Sequence, residues 1–432
     1  MKKSTTLLAL AASAAIAVTG LVGVPAQAAT VNITVWAMQG QTGEVNAAKQ
    51  EVAAFNAAGK GVKVTLKFIP DMGAALKNTK AANLPDAFEF DGETQAALVY
   101  NNKLAKLDSL FPASFFNNQL ASIQAENKNS DGHIYAVSQY DSGLTLWGNK
   151  SMLKAAGVTD IPTSWKTAWT ATRFTEVLKA LADKAPGGKA IDMKENYGIG
   201  GGWAGYAFSP IVNSAGYQLV AGGKAVGNMD NAKVAAAFKT FASWKKYTDP
   251  SADDSAFTAK RVGLAWVGHW AAPAIKSALG SDAVLIPLPN FGMGTKSGQG
   301  SHSWAIGAKS TKQAAAAKFL QFITQDAWIN NLTNQNGAVP ATKTALAASA
   351  DYATGGLLAL YKAQLSVSCG SGKITTSCVT VPRTISPAWP VINTTFSKAV
   401  QNIWDGADPQ TELTKAAKAI DQDYADNNGY KK

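Results

Sequence analysis

Twelve tryptophans in 432 residues is a high count, and several of them stand beside glycines or at turns: Trp36, Trp203, Trp266, Trp270, Trp304 and Trp389. Polar side chains cluster in the same places. Asp91 and Glu93 follow an apolar run in FEFDGET, Tyr140 and Asp141 stand in SQYDSG, and Gln39 and Glu44 come just after the run that carries Trp36. A sugar ring has an apolar C–H face and polar edges, so flat aromatic surfaces beside carboxylates and amides are the chemistry of a saccharide cleft.

Catalytic patterns are missing from the same inventory. The three histidines, His133, His269 and His302, show neither HxH nor HExxH spacing, and no GxSxG is present, so a metal hydrolase or a nucleophile elbow lacks its residues. The GGGW run at Gly200–Trp203 lacks the Lys-Ser/Thr that a phosphate loop needs, and no cofactor is called for. Packing accounts for some of the aromatics. Trp266 in GLAWV fits a core strand, Trp328 and Trp404 fit buried faces of helices, and Trp165 and Trp169, four apart, fit one packed face. Asp91 and Glu93 also suit the ends of secondary structure, and His269 and His302 also suit buried, satisfied polar positions. Two carboxylates across a cleft, such as Asp91 and Asp141, would equally suit a secreted glycoside hydrolase.

These residues hang on an alternating framework. Val31–Val35 and Val62–Phe68 read as strands around an alanine-rich helix, Glu44–Asn56, and Pro85–Phe90 follows as a third strand. That rhythm predicts a parallel, helix-covered sheet. Leu144–Trp147 and Val262–Val267 read as further strands, and Phe174–Ala182 and Ala232–Tyr247 as helices, so a second sheet is expected. Ligands of open α/β sheets bind outside the carboxyl ends of the strands, where Glu44, Asp91 and Glu93 fall.

At the start of the chain, Lys2 and Lys3, the apolar run Leu7–Val24 and Ala26-Gln27-Ala28 read as a signal peptide over 1–28, cleaved before Ala29; an uncleaved anchor is the other reading. The pair Cys369 and Cys378 reads as a local disulfide in an exported chain, or else as two buried thiols. With 47% hydrophobic and 16% charged residues the chain is globular. Its net charge of +11 comes from scattered lysines with only Arg173, Arg261 and Arg383 beside them, which argues against a nucleic-acid partner.

One ordered stretch, Ser301–Leu346, joins an aromatic strand (SHSWAIGA), a helix with an apolar stripe (KFLQFIT) and the turn NGAVPATKTAL. With GLAWVGHWAAPAIK at Gly263–Lys276 and the closing segment Ala388–Ile420, it resembles the extracellular solute-binding proteins of ABC sugar importers, the maltose-binding-protein-like group. The resemblance implies a two-lobed α/β fold of the type II periplasmic-binding-protein kind, with a hinge between the lobes. Lobe one would take 29–142 and 287–330, and lobe two 143–286 and 331–432, with crossings near Asp141–Gly143 and Pro287–Asn290. It implies a monomer that captures a mono- or oligosaccharide and hands it to the transmembrane subunits of an ABC permease, in a periplasm or in the wall space outside the cell. No lipid-bearing cysteine follows the signal. Asp91 falls where this group places a hydroxyl-binding acid, Asp141 a hinge-side acid and Trp270 a stacking ring; His302, Trp304, Trp203 and Trp389 also correspond in position. A non-sugar solute such as a polyamine fits the same fold.

Overall fold

A computed structural model describes residues 29–370 and 372–431; the expected signal peptide lies outside the described residues. Strand β1 (Val31–Met38) shows why the chain begins as it does: Ile33, Val35 and Ala37 turn inward while their neighbours stay wholly or partly exposed. It pairs in parallel with β2 (Val62–Ile69) and β3 (Ala87–Asp91), and the helix Thr42–Ala57 makes the crossover between β1 and β2. Beyond β3 the chain makes the short strands β4 (Val137–Ser138) and β5 (Tyr140–Asp141), then enters a second sheet through β6 (Leu144–Asn149).

That sheet also contains β7 (Ile191–Asp192), β8 (Leu264–Gly268) and β9 (Ala283–Ile286), in the order β7-β8-β6-β9. Strand β10 (Ser297–Gln299) leads back, and β11 (His302–Ile306) inserts antiparallel between β3 and β4 to complete the first sheet, β2-β1-β3-β11-β4. The expected crossing at Pro287–Asn290 lies elsewhere in the structure. Leu288 is packed in the core of the second sheet and the Asn290 amide donates to the Trp169 carbonyl at 2.8 Å, so the passage into the first sheet comes later, between Gln299 and His302. Two small ladders finish the connection: β12 (Val339–Pro340) against β5, and β13 (Thr380–Pro382) against β10.

Each large sheet has its own core. Around the first, Phe55, Val64, Trp304, Phe319 and Leu320 pack together on one face and Phe88, Phe90 and Ala305 on the other. Around the second, Trp266, Phe208, Phe238, Phe241 and Trp404 pack with the helices Ala204–Ser214 and Trp389–Trp404. Trp266 and Trp404 are therefore core residues, as their settings predict. Among the described residues no helix is long and apolar enough to cross a membrane. Cys369 and Cys378 are joined as a disulfide.

Candidate functional site

Between the two sheets lies a cavity of about 310 Å³, and the strand ends of the first sheet build one of its walls. Gly40, Gln41 and Glu44 follow β1, and Asp91 and Glu93 stand at the end of β3. Glu44 is fixed there by capping: its Oε2 accepts from the Gln41 amide at 2.9 Å, at the start of the helix Thr42–Ala57. His302 opens β11 directly opposite Asp91 in the register. Tyr140 and Ser142 reach the cavity from the connection between the sheets.

The opposite wall is aromatic. Trp270 follows β8 and folds back over Gly268, where a Cβ would meet its ring at 2.1 Å, so this turn requires glycine for space and not for its dihedral angles. The Trp270 indole N–H donates to the Tyr197 hydroxyl at 3.2 Å. Tyr197 in turn stands edge-on to Trp203, with ring centroids 5.2 Å apart, and Tyr206 is tilted against Trp270 at 6.3 Å. Trp203 is held by its own N–H, which donates to the Gly198 carbonyl at 2.8 Å, and Trp389 enters at the start of the helix Trp389–Trp404. Such contacts lock the rings' orientation before any ligand arrives.

Arg383, just past β13, ties the walls together. Its Nη2 lies 2.7 Å from Glu93, its Nη1 3.6 Å from Asp91, and Glu126 is 3.9 Å away, while the guanidinium covers the face of Tyr206 at 5.1 Å. Burial pushes the Glu93 and Glu126 carboxyls above the usual carboxylate range, and Arg383 is the strongest influence pulling them back. His302 sits between Glu89 at 3.3 Å and Asp91 at 3.5 Å. Burial acts to lower its pKa, but the Glu89 hydrogen bond and the charges of Asp91, Glu89 and Glu44 outweigh it and raise the value to about 10. His269, also lining the cavity, goes the other way: burial takes it down to about 4, against a hydrogen bond to the Asn336 carbonyl. One imidazole is therefore cationic at neutral pH and the other neutral.

Of the residues singled out in the sequence, Glu44, Asp91, Glu93, Tyr140, Trp203, Trp270, His302 and Trp389 line this cavity together. Four do not. Trp36 is half-buried on β1 with Lys67 over its ring, and Gln39 is exposed just beyond that strand. Trp304 is sunk in the core of the first sheet, with its N–H donating to Gln139 Oε1 at 3.1 Å. Asp141 is wholly buried and turns to the Ser142 amide, 2.7 Å away. Sequence reading passed over Arg383, Tyr197 and Tyr206. The signals available were the lone arginine ending the apolar run VTVPR and the tyrosines flanking GIGGGWAG. Among the described residues no group of three or more His, Cys, Asp or Glu is placed to hold a metal ion.

Comparison with known proteins bears on the fold and the family. The diacetylchitobiose binding protein DasA of Streptomyces coelicolor is 28% identical over 335 residues, covering 71% of this chain and 72% of that one. The GacH receptor of Streptomyces glaucescens, solved unliganded and with acarbose, superposes with a TM-score of 0.73 at 18% identity, covering 92% of this chain and 98% of the other. An ABC substrate-binding protein of Listeria monocytogenes, solved with cycloalternan, gives 0.73 at 16% identity, covering 92% and 99%. These likenesses establish the two-lobed type II fold. The model of the bacterial extracellular solute-binding proteins matches residues 50–359, most of the chain, and the protein belongs to that family.

Proposed function

We propose that the protein captures a saccharide between its lobes and delivers it to an ABC permease. The observation that carries this reading is the division of labour across the cleft. Trp203, Trp270 and Trp389, with Tyr197 and Tyr206, offer apolar faces from one side, while Glu44, Asp91, Glu93 and His302 offer hydrogen-bonding groups from the other. A ligand that touches both walls favours the closed arrangement, and closure is the state a permease can read; contact with one wall alone would shift nothing. The relatives' ligands support the class: diacetylchitobiose for DasA and acarbose for GacH.

The lobes follow the two large sheets, with the first running from residue 29 to 142 and resuming where the chain re-enters at Ser301. The short ladders β5–β12 and β10–β13 form the hinge region. Export, with cleavage before Ala29, and action as a monomer complete the reading.

Hydrolysis is disfavoured by the position of Asp141, which is buried and does not line the cavity between the sheets, so Asp91 and Asp141 do not flank a scissile bond there. A polyamine would exploit surplus acids, but Asp91 and Glu93 are already engaged by Arg383 and His302. Thermal-shift screening against sugars, polyols and polyamines tests the proposal, because a ligand of the native site stabilises by mass action. Stabilisation by a sugar is the expected result; stabilisation by polyamines alone would overturn it, and release of cleaved glycoside would revive the hydrolase.

A further inference from the structure

Trp270 stands between two spaces. On one side it lines the cleft, and on the other a rear cavity of about 80 Å³ whose walls include Lys194, Asp254, Phe257 and Ile275. A ring with free space behind it is under-packed on that face, so its orientation depends on directed contacts. The Trp270 N–H donates to the hydroxyl of Tyr197, which lines both spaces as well. What holds Trp270 therefore depends on what holds Tyr197.

Tyr197 ends the short turn Glu195–Tyr197, which follows the C-terminal end of β7 and springs from Lys194. Lys194 has left-handed backbone angles (φ 61°, ψ 53°), a region that residues with a side chain seldom occupy and that persists where the surroundings over-determine it. Asp192 grips it twice: Oδ1 accepts from the Lys194 amide at 2.8 Å, and Oδ2 from the Lys194 ammonium at 2.9 Å. Asp254, itself left-handed at φ 56°, accepts from the same ammonium at 2.7 Å. The Lys194 carbonyl accepts from the Tyr197 amide at 2.9 Å, which closes the turn. Burial raises the pKa of the Tyr197 hydroxyl, Asp254 adds to the rise, and the Trp270 N–H and Lys194 oppose it, so the ion cluster lies within electrostatic reach of that hydroxyl. Lys194 is 5% exposed and lines the rear cavity but not the cleft. Burying an ammonium is costly unless it is paired, and here the pairing fixes the turn that reaches Trp270.

We propose that Lys194 is a positioning residue of the cleft: held by Asp192 and Asp254, it sets the turn that carries Tyr197, and Tyr197 holds the Trp270 ring at the angle a ligand requires. This rests on the saccharide reading above and adds to it a residue that governs affinity without touching the ligand. The Asp254 side chain is 49% exposed, so the brace can be loosened from the surface without opening the core.

The test is a double-mutant cycle read by calorimetry, with β-1,4-linked N-acetylglucosamine and α-1,4-linked glucose, each of two and three units, as probes. Asp254→Ala removes the exposed arm, and Lys194→Met with Asp192→Asn removes the ammonium without leaving a carboxylate buried alone. Each change should weaken the best-bound probe by about fivefold or more in the parent background, and by less than about twofold once Trp270→Ala is present, because the ring they position is gone. A lysine that served stability alone would lower the urea midpoint and leave the affinity of the folded protein unchanged. Circular dichroism is the folding control, and Asp254→Ala, at its exposed position, decides the matter if the buried substitutions do not fold. Parental affinity in a folded variant, or an equal loss with and without Trp270, overturns the positioning role and leaves saccharide binding intact. Binding of none of the four probes by the parent overturns both readings together.

Discussion

Arg383→Met asks whether the ion cluster across the cleft holds the two walls in place. Methionine keeps apolar bulk over Tyr206 but removes the guanidinium that lies 2.7 Å from Glu93 and 3.6 Å from Asp91. Asp91, Glu93 and Glu126 are then left facing one another, and the last two are only 8% and 9% exposed. Removing one partner of a buried ion pair costs about 3–5 kcal/mol because the other charge stays buried without compensation. An exposed pair such as Arg173 with Asp160 sets the contrast, and Arg173→Met should cost less than about 1 kcal/mol. The effect also has a sign in pH. Burial raises Glu93 and Glu126, and Arg383 opposes that rise, so its loss moves both folded pKa values further up. A carboxyl raised in the folded state contributes stability below its unfolded pKa and loses it as pH rises toward the folded value. The penalty of Arg383→Met should therefore be smallest near about pH 4.5 and largest near about pH 8.5. Urea unfolding of the parent, Arg383→Met and Arg383→Met with Glu93→Gln, at both pH values, reads it directly. The second substitution should recover part of the loss at high pH only. A penalty below about 1 kcal/mol that does not change with pH would refute the cluster as a tie between the lobes.

Trp270→Ala should weaken binding of the best sugar by about 2 kcal/mol or more, roughly thirtyfold, with partial recovery in Trp270→Tyr; calorimetry showing parental affinity in a folded variant would make this ring structural. Burial, then the charge of Glu126, raises Asp141 to about 7, so the parent loses stability between about pH 4 and pH 7 as this carboxyl ionises. Asp141→Asn imitates the protonated form, and denaturant unfolding should find it more stable than the parent above pH 7, by up to about 4 kcal/mol, with no gain near pH 4. Replacing Cys369 and Cys378 together by serine should cost about 2–3 kcal/mol of stability by loop entropy, read by denaturant unfolding, with little change in affinity for the best sugar. Intact mass of the exported protein should correspond to a chain beginning at Ala29 without an acyl group, and a retained Met1 segment would contradict the cleavage site.

Periodicity and turn chemistry carried most of the fold. The alternation from Val31 onward is a strand because a half-buried surface needs a period of two, and it runs on to Met38, past the expected end at Val35, because Ala37 continues the buried row. The site was readable where a rule of topology applies: Glu44, Asp91 and Glu93 follow parallel strands and reach the cleft for that reason. Depth along an element was not readable. Trp304 shares the face of His302, two residues away, but lies one step further from the strand end and under the helix Gln313–Ile323, so one residue lines the cleft and the other the core. Asp141 is flanked by Tyr140 and Ser142, both of which line the cavity, yet in an extended segment the residue between two neighbours points away from them, into the buried side. Arg383 was hidden for a different reason, since its partners Asp91 and Glu93 lie in a distant part of the chain and counting charges cannot pair them. The ladders make the connection. Pro382 is in register with Gln299 in β10, three residues later His302 is in register with Asp91, and the arginine that follows Pro382 is thereby carried to the end of β3. A residue whose role depends on two successive strand registers becomes visible only when both are known, and for this arginine the registers supply what composition could not.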